Sequence, residues 1–137
     1  MKDAELEKEN LIDDSDADKK IFDIRERSFA FAVRIVKLCD FLEKHSKVNK
    51  NLIRQLLDAG TSVGANLEEV QSGQSKPDFI SENAISLKKA RESNYWLRLI
   101  LATNKFEEKI KRGVEELSEE SSEIAKIVAA IIISSKK

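Results

Sequence analysis

From Phe31 onward, apolar residues return every three or four positions. Phe31, Ile35, Leu38 and Leu42 form one such series, widened by Ala32, Val36 and Cys39. That interval puts side chains on one face of an α-helix and predicts a helix over about residues 25–47. Asp23 and Ser28 are both candidate N-caps. A second series, Leu52, Leu56, Ala59, Val63, Leu67 and Val70, predicts a helix over 49–74 capped by Asn49. Its centre reads AGTSVGAN, and each interior glycine costs about 1 kcal/mol relative to alanine. The series nevertheless keeps its phase across Gly60 and Gly64, which a loop would not do. The expectation is one continuous helix. Ile53, Leu57, Gly60 and Gly64 form its second face, and the two glycines form a packing notch there. Leu87 or the stem of Arg91, from the next helix, is expected to fill it.

The segment SGQSKPD reads as a turn, with Gly73 near a helix end, Ser75 as the next cap and Pro77 in the first turn. The third helix is expected over 77–103, with Ile80, Ala84, Leu87, Ala90, Leu97 and Leu101 facing inward. Ile85, Trp96 and Leu99 form a separate apolar flank. One stripe suffices for a helix in an isolated bundle. A second flank predicts a second neighbour, and Ile85, Trp96 and Leu99 are the candidate oligomer interface. NKFEEKIKRG, residues 104–113, reads as a basic connector or an extension of the third helix, ended by Gly113. A fourth helix over 114–134 carries Val114, Leu117, Ile124, Val128 and Ile131. Short connections between four helices predict an all-α, antiparallel up-down four-helix bundle.

Composition narrows the picture. Among 137 residues there are one proline and four glycines, while 36% of residues are charged. Few breakers and many charges suit long helices rather than a sandwich of short strands. Residues 1–20 contain four basic and eight acidic groups, a net of −4, and read as a disordered acidic arm. The expected bundle, residues 21–137, carries a net +3. The opening MKDAELEKEN is acidic and lacks the apolar stretch of a secretory signal. The longest apolar run, IVAAIII, is far short of the roughly 20 residues a membrane span needs. With one cysteine and no intrachain disulfide possible, the expected compartment is the cytoplasm.

Candidate chemistry is sparse. A di-metal carboxylate bundle needs paired Glu-x-x-His motifs, and the chain has one histidine, His45, with no glutamate three residues before it. Cys39 lies on an apolar helical stripe with no histidine nearby in sequence, so it reads as a buried structural thiol. Glu68, Glu69 and Glu92 read as solvated or ion-paired helix charges. No catalytic residue, metal site, cofactor or small-molecule substrate is expected. The candidate nucleic-acid-binding set is Lys88, Lys89, Arg91 and Arg98 on the third helix, with Lys105, Lys109, Lys111 and Arg112 after it. Tyr95 and Trp96 interleave as stacking platforms for bases.

Three strings carry a resemblance: SFAFAVRIVKLCDFL, LIRQLLDAGTSVGANLEEVQSGQSKPDFI and ISLKKARESNYWLRL. They resemble a family of small bacterial four-helix-bundle proteins. Its members include proteins encoded in intervening sequences of large-subunit ribosomal RNA genes. The family is related to the accessory variability determinant of diversity-generating retroelements. The resemblance covers about three of the four helices. It implies a four-helix protomer assembled into a ring-shaped homopentamer, with no known enzymatic activity. For the retroelement relative it implies a basic surface that engages nucleic acid and a reverse transcriptase. This chain departs from that relative in charge. It also reads Lys88-Lys89-Ala90 where family members often read Lys-Glu-Ala. The expected function is therefore a non-catalytic homo-oligomeric scaffold, with a nucleic-acid-binding accessory protein as the alternative.

Overall fold

The computed structural model describes residues 16–70 and 74–136. It contains four helices: α1 (Asp16–His45), α2 (Lys50–Glu68), α3 (Lys76–Thr103) and α4 (Glu108–Ser135). Each packs on the next, and α1 closes the circuit against α4. Between the diagonal pairs, α1 with α3 and α2 with α4, no two Cα atoms come within 8 Å. This is an antiparallel up-down four-helix bundle, and no strand occurs among the described residues. The core is a continuous apolar column running from Ile24, Phe31 and Ile35 of α1 to Ile124, Val128 and Ile131 of α4. Fully burying each such side chain stabilises the fold by about 1.5–3 kcal/mol.

Local signals set most boundaries. Asn49 Oδ1 accepts from the amides of Asn51 and Leu52, at 2.8 and 3.4 Å, and starts α2. Ser75 Oγ accepts from the Asp78 amide at 3.3 Å, with Pro77 in the first turn of α3. α2 runs without a break through Gly60 and Gly64 and ends at Glu68, short of the expected residue 74.

Two other boundaries differ from expectation. α1 begins at Asp16, not near residue 25, so Asp23 and Ser28 lie inside it rather than at its cap. The reason is that Ile24 and Ser28 continue the buried stripe toward the N-terminus, and both are fully buried. Residues 1–15 of the expected acidic arm lie outside the described residues, and residues 16–20 form the start of α1. At the other end, α4 begins at Glu108 and passes through Gly113, where a helix break was expected. Only residues 104–107 connect α3 to α4.

The inner face of α3 also differs. Its buried residues are Asn83, Ser86, Ala90, Ser93, Leu97 and Ile100. Of the expected inner residues, Ala84 is exposed and Ile80, Leu87 and Leu101 are half-buried. α3 lies between α2 and α4 and touches both, which favours small side chains at the contact. The hydroxyls there are satisfied by carbonyls. Ser86 Oγ donates across the interface to Val63 O at 2.8 Å, and Ser93 Oγ donates to Lys89 O at 2.8 Å. A buried polar group with a partner avoids the desolvation penalty that would otherwise exclude it.

Candidate functional site

Gly60 and Gly64 face α1, not α3. A Cβ on Gly60 would stand 2.8 Å from Ile35 Cγ2, closer than van der Waals contact allows. A Cβ on Gly64 would stand 3.5 Å from the Ser28 backbone and side chain, an ordinary contact. The notch therefore admits Ile35 and Ser28. The expected occupants, Leu87 and Arg91, belong to α3, which meets α2 on the neighbouring face through Val63.

The groups able to do chemistry do not converge. Cys39 is buried, its Sγ 3.7 Å from the Ile53 carbonyl, and burial pushes its thiol up from near 9 to about 11. His45 is exposed and its ring meets that of Phe41 at a tilt of 44°, with centroids 5.3 Å apart. Glu68 and Glu69 are exposed where α2 ends, while Glu92, in the middle of α3, pairs with Lys89 at 3.3 Å. Among the described residues no group of three or more His, Cys, Asp or Glu side chains is placed to hold a metal ion. No helix among them is long and apolar enough to cross a membrane. Polar links instead tie helices together. Arg27 makes a two-pronged contact with Glu120 at 2.7 Å on both oxygens, joining α1 to α4, and the carboxylate raises the guanidinium pKa. Asn94 Nδ2 donates to Ser118 O and to the hydroxyls of Ser118 and Ser122, joining α3 to α4.

The basic candidates are dispersed. Lys88, Arg91 and Arg98 are exposed on the outer side of α3, where Arg98 lies 5.8 Å over the Tyr95 ring. Lys89 turns toward α2 and lies within 3.9 Å of Asp58. Lys105 is in the α3–α4 connection. Lys109, Lys111 and Arg112 occupy the first turns of α4, where Arg112 pairs with Glu108 at 3.9 Å. The glutamates interleaved with them, Glu92 and Glu108 among them, make the face mixed in sign.

The outer faces of α1 and α3 also carry exposed apolar side chains among their charges. On α3, Ile85 is 44% and Tyr95 50% exposed, while Trp96 and Leu99 are half-buried and Trp96 meets Tyr95 edge-on. On α1, Phe22, Phe29, Val33 and Val36 are exposed, the two phenylalanines by 60% and 66%. The α1 stripe was readable from its spacing of seven, four and three residues. It was hidden because the helix was expected to begin at residue 25, after Phe22, and because Val36 was assigned to the inner face. α2 and α4 each expose one large apolar side chain, Leu57 and Ile133.

Residues 20–130 match the model of the 23S rRNA-intervening sequence protein family. A crystal structure from Bacteroides thetaiotaomicron, of a protein with unknown function from the S23 ribosomal protein family, superposes with a TM-score of 0.70. The two chains are 38% identical, and the match covers 82% of this chain and 97% of that one. No curated protein matches the chain.

Proposed function

This chain belongs to the 23S rRNA-intervening sequence protein family, and from that premise we propose that it is a non-catalytic homo-oligomeric scaffold. It assembles as a ring, of five copies as the resemblance implies, in the cytoplasm. It uses no metal, cofactor or small-molecule substrate. One observation supports this reading: exposed large apolar side chains gather on α1 (Phe22, Phe29, Val33 and Val36) and α3 (Ile85 and Tyr95), helices diagonally opposite in the bundle, against one each on α2 and α4. Exposed contiguous apolar surface marks an interaction site. Two different patches on separate sides of one protomer suit a heterologous contact, which closes into a ring when the rotation closes. Ile85, Trp96 and Leu99 supply the α3 side of that contact.

A second reading, nucleic-acid binding, is favoured by Lys88, Arg91 and Arg98 standing exposed beside Tyr95. The mixed sign of the surrounding surface favours the scaffold instead. The two separate in one experiment on the purified chain after nuclease treatment. Light scattering should give a multimer that survives the nuclease, and a labelled single-stranded RNA should not be retarded on a native gel. A multimer that falls apart with nuclease would replace the scaffold with the accessory-protein reading.

A further inference from the structure

We propose that the outer stripe of α1 on one copy docks on the outer face of α3 on the next copy, with acidic groups of α1 set against basic groups of α3. This rests on the oligomeric reading above and names the surface that meets the α3 flank.

The α1 stripe runs Phe22, Glu26, Phe29, Val33, Val36 and Asp40, at alternating steps of four and three. All six are exposed. Its apolar middle is thus closed at both ends by a carboxylate, with Lys37 to one side. The α3 face carries Ile85, Tyr95 and Leu99 together with Lys88, Arg91 and Arg98. Among the described residues, Glu26, Asp40, Lys88 and Arg91 have no ion-pair partner within the chain. Each face sets exposed apolar side chains among charges without an ion-pair partner, acidic at Glu26 and Asp40 on α1 and basic at Lys88 and Arg91 on α3, so the two suit each other better than either suits itself. A self-paired α1 contact would oppose carboxylates, and a self-paired α3 contact would oppose cations.

The levels along the bundle agree. Ser28 lies against Gly64, and Ser86 donates to the adjacent Val63 carbonyl. Ser28 of α1 and Ser86 of α3 therefore stand at similar heights, and in an up-down bundle the two helices run in the same direction. A ring closes by rotation without translation, so about an axis along the bundle each α1 meets the next α3 at its own height. Glu26 then stands within about a turn of Lys88, Val36 of Tyr95, and Asp40 of Arg98, a turn rising about 5.4 Å.

The test uses the full chain in three variants: Glu26→Lys with Asp40→Lys, Lys88→Glu with Arg91→Glu, and all four changes together. Sedimentation velocity reads assembly, circular dichroism reads helicity, and a native gel with single-stranded RNA reads nucleic-acid binding. Each double variant should stay helical and weaken assembly by about tenfold or more at low salt, and the fourfold variant should regain it, because the signs are complementary again. A native multimer indifferent to both double variants overturns this pairing and leaves the scaffold standing. A fourfold variant that fails to reassemble also overturns the pairing. A native chain that is monomeric overturns both, and a monomer whose RNA retention is lost with Lys88→Glu and Arg91→Glu assigns the α3 face to nucleic acid instead.

Discussion

Gly60 and Gly64 sit one turn apart on α2 and face the same neighbour, yet a methyl group on each meets different surroundings. At Gly60 it would press on Ile35, whose β-branched side chain is fully buried. Gly60→Ala should lose about 1–3 kcal/mol by overpacking, offset by up to about 1 kcal/mol of helix propensity. At Gly64 the methyl fits, so Gly64→Ala should be neutral or stabilising by up to about 1 kcal/mol. Urea unfolding of the two variants checks both signs, and equal effects would contradict the geometry. Cys39 gives a pH prediction. Its folded pKa is raised to about 11, so the folded state holds its proton where the unfolded chain releases it. That contribution is intact below about pH 9 and is lost as pH rises through about 11. The stability gap between the native protein and Cys39→Ala should therefore narrow between those values, and an aromatic disulfide reagent should label the native thiol slowly. Fast labelling at neutral pH would contradict burial. The notch was legible as a place of close approach because the apolar phase survives both glycines. Its occupant was not, because sequence spacing along α2 does not say which of two flanking helices each face meets.

Among the elements, α4 holds a glycine that does no packing. Nothing lies within 4 Å of a Cβ built on Gly113, and the residue is helical. Gly113→Ala should raise stability by up to about 1 kcal/mol through helix propensity alone. Thermal unfolding followed at 222 nm tests this, and a loss of stability would mean the glycine is needed. The same residue shows where reading elements from sequence fails. A glycine after a basic run resembles a helix end, but the stop comes earlier, where Asn104 leaves helical geometry with φ −139° and ψ 155°. The caps at Asn49 and Ser75 were legible because each is a single side chain acting within its own turn. The inner face of α3 was not. Ser86 and Ser93 are polar by type and are buried because they are small and their hydroxyls find carbonyl partners, while Asn83 is buried with only its Nδ2 partnered, by the Phe79 carbonyl. No apolar periodicity can report that.

For the whole molecule, the four-helix count and the up-down order followed from apolar period and short connections, and the surfaces followed only in part. Ile85, Trp96 and Leu99 stand out as a second flank on α3, whereas the exposed stripe on α1 is lost in the sequence because Phe22 precedes the expected helix start and Val36 fits the inner series equally well. Ile85→Asp should leave helicity intact and weaken assembly, because Ile85 is 44% exposed in the single chain. A loss of helicity in that variant would instead make Ile85 a support of the protomer. The proposed self-association through exposed helix faces fixes what the native chain should weigh in solution. Sedimentation equilibrium of the native chain across a wide concentration range measures it. One dominant species is expected, its mass a whole multiple of the chain's, dissociating only on dilution. A compact monomer at every concentration would contradict it.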